Sequence, residues 1–248
     1  MSLSVCYSML NLANVDPMVS ASMSGAIYYA KHKRPDLNVR MYNPERLPIH
    51  ISREDAVQYA LDCECDYIFF HDNDTIMHLG TVDRLITRLE ERKDLYGISA
   101  RYYIRGRPYK LMLFRPDKPP NVLDCNPSPE SEDEWTDEDG IAWGMIIGMG
   151  CTLLRTGFFN ELPKPWFRTG DFHTEDVYLC HRAYNMLDDW RVGMDMTFGP
   201  DHIVGKNVVN MANVEMMRTL SKMEAVLRDD PDKFKEIKEV IEQCLPKE

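Results

Sequence analysis

Apolar runs and amphipathic stretches take turns along the first hundred residues. Leu3 to Leu10 reads as a strand, and Asp16-Pro17 then supplies an N-cap followed by proline at the first helical position, opening a helix to about Lys33. A short strand is expected over 38–42, and Ser52 can cap a helix over 53–62. Tyr67-Ile68-Phe69-Phe70 is a run of four large apolar residues, the pattern of a strand buried on both faces. Val82, Leu85, Ile86 and Leu89 recur at helical spacing, which predicts an amphipathic helix over 81–93 and a returning strand over 95–100. Strand, helix, strand, helix, strand is the beginning of a parallel, doubly wound α/β sheet.

From Arg101 the pattern changes. Arg101, Arg105, Arg107 and Lys110 interleave with Tyr102, Tyr103 and Tyr109 before a strand over 110–114, giving either a cationic face for phosphates or a solvated edge hairpin. Residues 115–140 are rich in Pro, Ser, Asp and Glu and read as a long loop. Order resumes at Ile141, and 144–155 reads as a buried strand pair whose three glycines let another group approach closely. It lacks the Lys and Ser/Thr of a phosphate loop. A Pro-Trp-Phe loop over 162–167, a helix opening at Thr174-Glu175-Asp176 and a strand over 190–198 follow. The tail from Asn213 reads as two helices broken at Asp230-Pro231, with an apolar stripe that packs on the domain or on another copy.

The chemistry concentrates where the third strand stops, at Asp72-Asn73-Asp74. Open α/β sheets bind ligands at the carboxyl edge of their strands. Two acids there repel unless a cation offsets them, and hard oxygen ligands suit magnesium or manganese carrying a phosphorylated substrate. The competing reading is that Asp74 or Thr75 only caps the following helix. Glu175 and Asp176 are open in the same way, between catalytic acids and first-turn acids that complement a helix dipole.

Composition narrows the field. At 248 residues and 44% apolar content the chain can bury one large α/β domain. No run approaches the roughly 18 apolar residues of a membrane span, and the N-terminus lacks a signal-peptide pattern, so a cytoplasmic protein is expected. Seven cysteines without framework spacing read as reduced thiols. The net charge is −11, and residues 130–139 hold seven acids and no base, so duplex nucleic acid is not the expected partner.

The ordered set resembles the GT-A fold of nucleotide-sugar-dependent glycosyltransferases. It comprises an N-terminal strand–loop–helix half, an apolar strand ending in Asp72-Asn73-Asp74, the Gly-rich segment running to Cys151-Thr152-Leu153-Leu154-Arg155, Pro165-Trp166-Phe167, Glu175-Asp176 opening a helix, and the late His202. The runs 101–109 and 174–180 look most like small viral and prokaryotic members, which for a virus would mean the host cytoplasm. The likeness implies a GT-A-like domain over 1–205, its nucleotide-sugar half at about 1–100 and acceptor half at about 101–205. Residues 206–248 fall outside the resemblance and read as a C-terminal helical extension through which a homo-oligomer could form.

The resemblance also implies roles. Asp74 would bind Mn2+ or Mg2+ directly, Asp72 would touch the ribose or reach the metal through water, and His202 would complete the protein's metal ligands. Asn11, Asn14 and Asp16 would hold nucleobase and ribose of a nucleotide-sugar donor, a UDP-sugar first among them. Arg101 or Arg105 would contact the diphosphate, and Trp166 with Phe167 would form a stacking wall. Asp176 or Glu175 would act as base in an inverting transferase and bind sugar hydroxyls in a retaining one. The activity implied is hexosyl or pentosyl transfer to a hydroxylated acceptor, a saccharide or a hydroxylated base in DNA. The alternatives are a sugar nucleotidyltransferase, disfavoured because 11–16 holds neither glycine nor a base, and a non-catalytic nucleotide-sugar-binding assembly protein.

Overall fold

The computed structural model describes residues 2–9, 15–44, 47–104, 109–115, 132–170, 173–204, 207–214 and 216–218. Asn11, Asn14, Arg105, most of the acidic loop and the second tail helix lie outside the described residues.

The central sheet has seven strands, in the spatial order β2-β1-β3-β9-β5-β10-β7. They are β1 (Ser4–Met9), β2 (Asn38–Tyr42), β3 (Tyr67–His71), β5 (Gly97–Ala100), β7 (Ile141–Gly144), β9 (Cys151–Arg155) and β10 (Val192–Asp195). β1 runs parallel to β2 and β3, β10 parallel to β5, and β9 lies antiparallel between β3 and β5, so only β9 and the edge strand β7 oppose the common direction. Among the described residues, four helices cover the sheet: α1 (Pro17–Lys33), α2 (Ile49–Asp62), α3 (Thr81–Glu91) and α4 (Glu175–Met186). No helix among the described residues is long and apolar enough to cross a membrane.

Alternation along the strands divides the core into two layers. Val5, Tyr7 and Phe69 face α1 and α3, burying Val19, Ala26, Val82 and Leu85. Cys6, Ile68 and Phe70 face α2 and α4, burying Ala56, Val57, Leu179 and Ala183. Ile68, Phe69 and Phe70 are all fully buried, contributing about 1.5–3 kcal/mol each as an upper estimate. That is why β3 can carry polar residues to the sheet edge without loosening.

Several boundaries differ from the sequence expectation. Asp16 does cap α1, accepting from Met18 N at 2.8 Å. α2, however, begins at Ile49 behind Pro48, whose fixed φ of −52° presets the entry, and Ser52 sits buried in the first turn. The expected strand pair over 144–155 is two strands that do not pair with each other. β8 (Ile146–Ile147) pairs with β6 (Leu113–Phe114), while β9 enters the central sheet. The strand expected over 190–198 shortens to β10.

A second, three-stranded sheet positions the site. β11 (Asp201–Val204) pairs antiparallel with β4 (Thr75–Ile76) on one side and β12 (Asn207–Val209) on the other. This hairpin spans the expected boundary at 205/206. Farther on, the buried Arg218 side chain donates to the Tyr109 carbonyl at 3.0 Å and reaches Glu132, tying the start of the tail to the domain.

Candidate active site

A buried histidine pins the turn that follows β3. His71 Nε2 lies 2.6 Å from the carbonyl of Thr75, which can only accept, so Nε2 carries the proton and Nδ1 accepts from Tyr7 Oη at 2.7 Å. Burial pushes the His71 pKa down to about 4, keeping the ring neutral in that tautomer. The same turn is closed by Thr75 N donating to Asp72 O at 3.3 Å, and Asp72 N donates to Gly150 O at 2.9 Å, extending the β3–β9 ladder by one residue.

Pairing of β4 with β11 then sets Thr75 opposite His202. Ile203 N donates to the Asp74 carbonyl at 2.8 Å, and the two side chains meet with His202 Nε2 3.6 Å from Asp74 Oδ2. His202 Nδ1 lies 2.8 Å from the carbonyl of Tyr103, so Nδ1 carries a proton and Nε2 is the nitrogen turned toward the carboxylate. A metal-binding imidazole needs this arrangement, with the remote nitrogen fixed by an acceptor. Nitrogen and oxygen donors each about 2.1 Å from one ion stand roughly 3.0–4.2 Å apart, and 3.6 Å lies inside that range. No group of three or more His, Cys, Asp or Glu side chains converges among the described residues. Among the described residues, Asp74 and His202 are therefore two side chains whose spacing would let them share one ion.

Asp72 faces a different partner. Arg53 of α2 is 2% exposed, with Nη2 3.0 Å from Asp72 Oδ1 and Nη1 2.7 Å from Glu175 Oε1 at the start of α4. One guanidinium thus joins the first aspartate of the motif to the acidic pair. Burial favours the neutral form of Glu175 and outweighs the pull of Arg53, so its pKa is raised. Burial also opposes the charge on Arg53, but Asp72, Glu175 and Asp176 together overcome it and raise its pKa. Asp176, also buried, accepts from Thr174 Oγ1 and from Val177 N at 2.8 Å through Oδ1.

The glycine segment is the floor expected of it. A Cβ at Gly148 would lie 2.0 Å from Tyr102 Oη, and one at Gly150 would lie 3.1 Å from Asp72 Oδ2. Tyr102 Oη in turn accepts from Gly150 N at 3.1 Å.

Other expected site residues are engaged by partners of their own. Trp166 is 5% exposed, its indole N–H donates to the carbonyls of Phe159 and Leu162, and its ring belongs to the core with Phe159 and Phe167. Buried this way, neither Trp166 nor the 2%-exposed Phe167 presents a stacking face to solvent. Arg101 is engaged by Glu132 at 2.6 Å, and Asp16 serves as the helix cap. Sequence reasoning missed Arg53, although a signal was there. Arg53, Ala56, Val57 and Ala60 follow helical spacing, and all are buried. An arginine at the head of an apolar stripe must find carboxylates inside.

The sheet order, the antiparallel β9 and the acidic turn at the carboxyl end of β3 make this a GT-A-like α/β fold. Among solved structures, the chain is similar to A197 from STIV, at 16% identity and a TM-score of 0.52, covering 84% of this chain and 90% of that one. It is also similar to GalNAc-T7 solved with UDP, GalNAc and Mn2+, at 11% identity and a TM-score of 0.51, covering 78% of this chain but 42% of that one. No family model and no curated protein sequence matches.

Proposed function

We propose that the chain is a metal-dependent glycosyltransferase that moves a sugar from a nucleotide-sugar donor, a UDP-sugar first among candidates, to a hydroxyl acceptor. The observation that carries the reading is the Asp74–His202 pair at 3.6 Å, held at the carboxyl edge of β3 with Nδ1 of the imidazole fixed by the Tyr103 carbonyl and Nε2 turned toward the carboxylate. The GT-A-like fold supports it, and GalNAc-T7 was solved with UDP and Mn2+.

In this reading Asp74 and His202 hold Mn2+ or Mg2+, which when bound supplies a Lewis acid against charge developing on the leaving nucleoside diphosphate. Asp72, oriented by Arg53, faces the ribose. Arg53 itself keeps a fixed positive charge behind the site and holds α4 in place. Glu175 or Asp176 takes the acceptor proton in an inverting reaction, or binds sugar hydroxyls in a retaining one. The acceptor is a saccharide, or a hydroxylated base in DNA, and the place of action cytoplasmic.

The test is hydrolysis and transfer with a panel of nucleotide sugars, each with and without Mn2+, alongside calorimetric binding of UDP. Turnover of one donor that disappears on chelation supports the proposal. Absence of turnover together with absence of metal-dependent UDP binding overturns it.

A further inference from the structure

The edge strand β7 carries a second, unrelated concentration of chemistry. Two guanidinium groups lie against the ring of Trp143, Arg115 at 3.7 Å and Arg191 at 5.1 Å from its centroid. Arg115 is anchored there, donating from Nε and Nη2 to the Trp143 carbonyl at 3.3 and 3.0 Å. No direct salt bridge holds Arg115 among the described residues, while Arg191 acts electrostatically on Asp94. They flank a cavity of about 350 Å3 whose other walls include Met145, Leu187 and Tyr184. Trp190 adds an apolar face, its N–H already committed to the Met145 carbonyl at 2.8 Å. Asp189 is the single carboxylate among the described lining residues, Asp94 lying outside the lining.

We propose that this cavity binds a small ring compound bearing an oxyanion, a phosphate or carboxylate on a ring of about monosaccharide size. The volume is at the low end of small-ligand pockets, and the walls combine aromatic and aliphatic surface with a few convergent polar groups. Guanidinium forks match phosphate and carboxylate oxygens bidentately. Burial, and after it the charge of Arg191, hold the Arg115 pKa below its ordinary value; an anion between the two cations relieves their repulsion. The site is separate from the acidic cluster. Leu187 follows the last turn of α4 while Glu175 opens its first, a span of roughly 18 Å at about 1.5 Å per residue. The inference does not rest on the transferase reading.

The experiment is calorimetric titration of the full chain with glucose 6-phosphate, glucuronate and glucose in excess EDTA, which removes metal-dependent binding at Asp74 and His202. At least one of the two anions is expected to bind saturably and glucose not to bind, with the stronger anion identifying the oxyanion. Arg191 is exposed, so Arg191→Met keeps the fold, and it is expected to weaken anion binding about 10-fold or more. Arg115→Met is expected to do the same. Equal affinity in Arg191→Met, equal binding of glucose, or no saturation with either anion overturns the proposal.

Discussion

Arg53 places Nη1 2.7 Å from Oε1 of Glu175, joining a helix of the first half of the chain to a helix of the second inside a region nearly closed to water. Removing one member of such a pair leaves the other charge buried without compensation. Arg53→Met is therefore expected to lower stability by about 3 kcal/mol in urea denaturation at pH 7. Arg53→Lys keeps the charge but not the fork, and falls between. Glu175 already has a raised pKa, and losing the cation raises it further. A carboxyl group with a raised folded pKa contributes stability below its unfolded value, near 4.5, and loses it as pH rises through the folded value. The gap between Arg53→Met and the parent chain should accordingly widen from pH 4.5 to 7. A gap that stays constant would show that the contact carries no charge interaction.

Asp74 and His202 form the second pair, and the prediction there concerns ligand rather than stability. Asp74→Ala and His202→Ala should each weaken Mn2+-dependent UDP binding by at least about 10-fold, since disturbing even an outer-shell partner of a metal ligand costs that much. UDP binding measured in EDTA should not change. Retention of metal-dependent affinity in both variants would remove these residues from the ligand set.

Much of this pairing was legible in the chain, for reasons that differ from residue to residue. The run Tyr67–Phe70 ends on Asp72-Asn73-Asp74, so the position of those acids at a sheet edge follows from local pattern alone. His202 gained meaning only from the order of distant motifs, because its approach to Asp74 depends on β4 pairing with β11, and two-residue strands leave no periodicity to read. Trp166 misled in the opposite direction. A Pro-Trp-Phe loop looks like an exposed platform, yet the indole N–H finds two carbonyls in the interior and the ring fills the core. For Arg53 the apolar stripe of α2 signals burial, but its carboxylates, Asp72 and Glu175, lie too far along the chain for local pattern to supply.

His71 gives a stability signature at acid pH. Its pKa falls to about 4 in the folded chain against 6.5 when unperturbed, so the unfolded chain binds the proton more tightly. Stability from the neutral ring is complete above pH 6.5 and is lost as pH drops through 4, a contribution of about 3 kcal/mol. His71→Gln should flatten the denaturation profile between pH 6.5 and 4. Because His71 also pins the turn bearing Asp72 and Asp74, the same variant should weaken metal-dependent nucleotide binding at pH 7. An unchanged pH profile would mean that His71 takes up its proton at the same pH in the folded and unfolded chain.

The two acids at the start of α4 are separable by what each already touches. Asp176 Oδ1 accepts from Thr174 and from Val177 N, bonds that organise a helix start, so Asp176→Asn should cost about 1 kcal/mol of stability and little turnover. Glu175 is a buried carboxyl whose pKa is raised by that burial, which makes its carboxylate the stronger base. Glutamine keeps an oxygen toward Arg53 but cannot take a proton. If transfer is inverting, Glu175→Gln should therefore cut kcat about 100-fold or more while leaving donor KM nearly unchanged, with NMR of the product giving the anomeric configuration. The reverse pattern, a collapse of kcat in Asp176→Asn alone, would assign the base to Asp176. A retaining product with modest kcat losses and raised acceptor KM in both would make the pair a binding surface for sugar hydroxyls instead.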